Sequence, residues 1–164
     1  MQNTKDTFFL TLSSRLAALN PARTMLVRGA VRPAALVDEN ELPGATPPLD
    51  AFRLRWTALQ MHAATPLAWL ALECSISYAT DGSAGSAGMD RGRALAAMDT
   101  ELAEALAAPT RAVPKLDCAA APPAPTGTNI FWAAPLFAPA VETGERLART
   151  ATVQVFAYQE AGPR

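Results

Sequence analysis

Chemistry is most strongly suggested by the run DGSAGSAG at residues 81–88, which is followed by Arg91 and Arg93 and opens a helical pattern. A phosphate loop of the Walker type needs glycines and a lysine at fixed spacing, so that backbone N–H groups and an ammonium converge on one anion. Residues 82–92 hold no lysine, and their glycines do not fall as G-x-G-x-x-G. A serine nucleophile on a strained elbow needs glycine two residues away on each side, and neither Ser83 nor Ser86 has that. What remains is a mobile link, with an anion held by the helix start, Arg91 and Arg93 as the alternative.

The single histidine, His62, cannot be tied to any serine or cysteine by spacing, so an ordinary packed or exposed ring is expected. Glu101 and Glu104 lie one helical turn apart, which reads as a solvated face. Asp38, Glu39 and Glu41 lack the alternation and the glycine of a calcium loop. No catalytic, cofactor-binding or metal-binding residue is assigned. Arg53 and Arg55, two residues apart in an alternating segment, project from one face of a strand. They are candidates for contact with acidic neighbours, the Asp38–Glu41 region of an adjacent copy being a suitable partner.

The elements that hold these residues follow from periodicity. Phe8, Phe9, Leu12, Leu16 and Leu19 recur at helical steps after a cap expected at Thr4 or Asp6. Alternation marks strands at 24–31, interrupted at Gly29, at 52–57, at 70–78 and at 151–158. Leu95, Met98, Leu102 and Leu106 define a second helix ending before Pro109. The acidic segment 38–50, with Pro43, Gly44, Pro47 and Pro48, reads as an exposed loop or arm. Residues 119–128 read as an extended, Pro/Ala-rich connection. In the segment that follows, Phe131, Trp132 and Phe137 either cap the core or form an apolar patch between subunits. The expected fold is one α+β domain over 1–164, with a mixed or mostly antiparallel sheet of four to five strands packed against two main helices.

Composition narrows the class. A formal net charge of −1 excludes the strong basic excess of a protein that binds nucleic acid by neutralising phosphates. Charged residues make up 18%, which is low for a free-standing soluble protein and implies surface covered by partners. Cys74 and Cys118 lack metal-site spacing and read as free thiols of a reducing compartment, with a disulfide as the alternative. The N-terminus lacks the pattern of a signal peptide, and no apolar run is long enough to span a bilayer. A cytoplasmic origin is the default.

The order of elements, from the helix DTFFLTLSSRLAALNP through CSISYATDGS and the helix MDRGRALAAMDTELAEALAAP to the pair NIFWAAPLF and TATVQVFAYQE, resembles the tail terminator or tail completion proteins of tailed bacteriophages. Similar proteins occur in phage-derived contractile particles. The resemblance covers most of the chain and rests on element order, not on a diagnostic motif. It implies a non-enzymatic virion subunit, assembled in the host cytoplasm, that forms a ring, usually a hexamer, at the head-proximal end of the tail. Implied partners are other copies, the tail tube protein and head connector or neck proteins, with DNA at most passing through transiently and no membrane or cofactor involved. Residues 119–141 depart from the simplest form of the family. The alternatives are another head-to-tail joining protein, or a small ligand-binding or enzymatic domain with a pocket around His62, Tyr78 and Arg91.

Overall fold

The computed structural model describes residues 1–41, 48–63, 68–107 and 111–158. Two helices, α1 (Gln2–Leu19) and α2 (Arg91–Leu106), lie over one face of a large sheet. The strands are β1 (Thr24–Val27), β2 (Ala30–Pro33), β3 (Ala35–Val37), β4 (Phe52–His62), β5 (Trp69–Thr80), β6 (Ala112–Asp117), β7 (Ala124–Trp132), β8 (Leu136–Phe137), β9 (Val141–Thr143) and β10 (Arg146–Tyr158). β1 and β2 form a separate hairpin. The other eight make one sheet in the order β3-β4-β5-β10-β7-β6, with β8 and β9 also on β10. All pairings in it are antiparallel except β3 with β4.

This overturns the expected α+β domain with four to five strands. The described residues form ten strands in two sheets, and the protein is dominated by sheet. Two physical causes hid the extra strands. Most of β6 to β9 carries prolines or small residues instead of a clean apolar alternation, and β4 contains a bulge. In β4, Phe52, Leu54 and Trp56 face the helices; the register then shifts between Trp56 and Ala58. Beyond it the parity is reversed, and Leu59 and Met61 stand opposite Leu72 and Leu70.

The long strand β10 is central, bonded by β5 on one side and by β7, β8 and β9 on the other. It therefore offers a neighbour no free edge along most of its length. The Pro/Ala-rich connection is also more ordered than expected, since β7 begins at Ala124 and pairs with β6 through Asp117↔Ala124 and Leu116↔Pro125.

The core lies between the helices and the inward residues of the sheet. Phe8 sits edge-on to both Trp56 and Trp132, each with ring centroids 5.8 Å away. Leu95, Met98, Leu102 and Leu106 bury the inner stripe of α2 against Ile76, Tyr78, Ala151 and Val153. Each large apolar side chain so buried contributes about 1.5–3 kcal/mol. α1 starts at Gln2 without a side-chain cap, so neither Thr4 nor Asp6 serves as one. Thr7 instead donates to the Asn3 carbonyl and accepts from the Leu116 amide, tying α1 to β6.

The hairpin turn explains itself. Arg28 and Gly29 have φ of 50° and 83°, the left-handed pair required by a two-residue turn between twisted strands. The sequence showed the interruption at Gly29 but not the reversal.

Candidate assembly surfaces

The glycine-rich run closes on itself. Asp90 accepts hydrogen bonds from the Ser83 amide at 2.9 Å and from the Ser86 hydroxyl. Those donors hold the Asp90 carboxyl at about 2, well below the usual range, Ser86 contributing most. Arg91 donates to the Gly88 carbonyl at 3.1 Å and to the Glu145 carbonyl at 2.7 Å, which joins the loop to the β9–β10 turn. An open hollow of about 550 Å³ borders this loop. The arginine at its wall is already engaged with carbonyl oxygens, and the run is an organised turn instead of the expected mobile link.

The charged candidates are paired within the chain. Arg53 donates to both Asp38 oxygens, at 2.5 and 2.9 Å. Lys5 meets Glu39 at 2.6 Å, and Arg32 meets Glu41. The acidic partners expected from an adjacent copy are thus supplied by the same chain, which binds the β3–β4 edge to α1 and β2. Arg55 stands exposed on the outer sheet face. The arm at 38–50 is described only at its two ends, residues 42–47 lying outside the described residues.

Four pairings escaped the sequence. Glu101 accepts from Arg23 at 2.7 and 2.8 Å and from Asn20 at 2.8 Å. Burial pushes its carboxyl up, but the hydrogen bonds from Arg23 and Asn20 outweigh it, and the net shift is downward. Asp99 accepts from the Tyr78 hydroxyl at 2.5 Å and pairs with Arg149 at 3.2 Å. The supposed solvated face of α2 is therefore, at Asp99 and Glu101, a seam to the sheet and to the β1–β2 hairpin. No spacing signal links residues so far apart in sequence.

The pocket expected around His62, Tyr78 and Arg91 does not form among the described residues. Tyr78 is buried beneath α2, while His62 lies on the opposite face of the sheet, stacked on Trp69 with centroids 3.8 Å apart. Tyr78 and Trp69 are nine residues apart on β5, roughly 30 Å.

The aromatic candidates divide. Trp132 is core, and its indole N–H donates to the Leu106 carbonyl at the end of α2 at 2.9 Å. Phe137 is half-buried against the core. Phe131 instead faces outward with Trp69, Phe156 and Tyr158 around a cleft of about 350 Å³. Both readings of that segment thus apply, to different residues. Below the cleft the same sheet face turns polar, with Glu73 accepting from Thr57 at 2.7 Å and from Gln154 at 2.9 Å.

A second apolar surface sits on the β1–β2 hairpin. Leu26 and Val31 are directly opposite one another and are 69% and 71% exposed. Neither was singled out from the sequence, although an apolar pair flanking a two-residue turn was there to be read.

No family model matches the chain, and no curated protein does. Among solved structures, a chain of the virion of a native gene transfer agent particle is similar at 15% identity and a TM-score of 0.35, over 88% of this chain and 84% of that one.

Proposed function

We propose that this chain is a phage-like virion structural protein and, within that class, a tail terminator: a subunit that forms a ring at the head-proximal end of the tail tube and stops its growth. The observation that carries the structural reading is the presence of two apolar surfaces on separate elements, the Leu26/Val31 hairpin and the Trp69/Phe131/Phe156 cleft. Exposed apolar surface of this kind marks contact sites. The finer reading rests on the resemblance in element order. Its mechanism is capping by shape, in which one face of the ring matches the tube end and the other accepts the head connector and refuses further tube subunits.

The test is the mass of the purified protein alone and with tail tube protein. A closed ring, or a complex confined to tube ends with shortened tubes, is the expected result. Rings that bind the connector yet leave tube length unchanged would move the protein to the other neck components. A monomer indifferent to tube protein sinks the reading.

A further inference from the structure

The two apolar surfaces cannot meet within one molecule. The hairpin is rooted where Arg23 donates to the Asp50 carbonyl, and the Asp50 amide donates to the Ala79 carbonyl of β5. The cleft begins at Trp69, ten residues back along the same strand, roughly 33 Å away. Arg28 at the hairpin tip is five residues beyond Arg23, so its reach is roughly 17 Å. The cleft also opens on the sheet face that the helices leave bare. A chain therefore cannot fill its own cleft with its own hairpin, while a second copy can.

Charge and spacing agree. Arg28, exposed at the tip, and Glu73, below the cleft, form no ion pair among the described residues. Arg28 lies two residues past Leu26. Glu73 lies two residues from Ala71, whose cross-strand neighbour is Phe156, itself opposite Phe131. Each offset is roughly 7 Å along a strand, so an apolar pair seated on the aromatic rings brings the guanidinium over the carboxylate.

We infer that the β1–β2 hairpin of one copy inserts Leu26 and Val31 into the Trp69/Phe131/Phe156 cleft of the next, with Arg28 paired to Glu73 across the contact. The contact is heterologous: each copy gives a hairpin on one side and a cleft on the other, which propagates into a ring when the rotation closes. This rests on the proposed role as a ring-forming subunit and names the surfaces that join it.

Sedimentation velocity on the full chain tests it, with circular dichroism to confirm folding. Leu26→Asp and Phe131→Asp are each expected to weaken self-association at least tenfold. Mixed together, the two variants should form a one-to-one dimer and stop there, because each retains one intact surface. Arg28→Glu and Glu73→Lys should each weaken assembly, and the two charges reversed in one chain should recover it. Variants that assemble like the unaltered protein overturn the contact and leave the ring reading standing. Variants that are monomeric and do not pair on mixing overturn the heterologous arrangement. An unaltered protein that stays monomeric, with and without tube protein, overturns both the contact and the ring.

Discussion

Glu101 shows how a single carboxylate can hold three elements. It receives the guanidinium of Arg23 and the amide of Asn20, both just beyond α1, while standing on α2. Glu101→Gln keeps the shape and removes the charge, and since hydrogen bonds to charged groups are worth about 1.5–3 kcal/mol, a loss of about 1–3 kcal/mol is expected in urea unfolding. Because its folded carboxyl is depressed below the ordinary value of 4.5, the stabilisation is present above that value and disappears as pH falls through the folded one. The unaltered protein should accordingly lose its advantage over Glu101→Gln on acidification; a constant difference down to strongly acid pH would contradict the assignment. The thiols diverge for a different reason. Burial pushes both Cys74 and Cys118 up, but Cys74 lies wholly inside the core while Cys118 is half-exposed. Cys118 should react with a thiol reagent in the native protein, and Cys74 only at the rate of unfolding. Equal rates would mean that the packing around β5 opens more readily than the structure implies.

Among the elements, the 81–90 loop carries the most specific geometry. A methyl group at Gly82 would stand 2.6 Å from the Asp90 carboxylate, on a backbone with φ of 77°. Gly82→Ala should therefore destabilise by about 1–3 kcal/mol, whereas Gly85→Ala, which meets nothing within 4 Å, should be near neutral. Asp90, held at about 2 by its serine donors, keeps the loop closed at all pH values above its ordinary value of 3.8 and releases it as pH falls toward 2. Amide exchange at Ser83 checks this directly: protection should persist at pH 4 and vanish near pH 2. The sequence revealed much of this loop's position, because the alternation of β5 and the helical period of α2 bracket it cleanly. It concealed the closure, since the bond from Asp90 to Ser83 and Ser86 has no periodic signature. The same limit explains β4 and β6 to β9. An alternating pattern survives only until a bulge, as at Trp56/Ala58, and prolines such as Pro114 and Pro125 read as breaks although both lie in paired strands. The candidate surfaces were legible in part: the segment holding Phe131, Trp132 and Phe137 stood out as core cap or apolar patch, without separating the outward Phe131 from the buried Trp132. Arg53, Asp38, Glu39 and Glu41 stood out as charged but pair within the chain, Arg53 with Asp38, Glu39 with Lys5 and Glu41 with Arg32.

At the scale of the whole molecule, the helices cover one face of the sheet and leave the other bare, while the hairpin stands apart with its own two-stranded ladder. Stability should be distributed accordingly. β5 and β10 are paired along twelve residues and flanked on both sides, so their inner amides should exchange only through global unfolding. The hairpin is joined to the rest chiefly through α1 and the Arg23–Glu101 seam, and its amides should exchange through local opening at much lower cost. Assembly alters this gradient in a way that depends on which surfaces meet. If hairpin and cleft join, protection on ring formation should rise at Leu26 to Val31 and at the Trp69, Phe131 and Phe156 end of the sheet, while the amides around the 81–90 loop stay as they were. Protection gained only at the loop, or only along the free edge of β4, would assign the contact elsewhere. The hairpin is the less stable element and the bare face is the more rigid one, so ordering of the hairpin would be part of the cost of ring closure. A second copy of the chain would then complete a structure that the isolated subunit holds open.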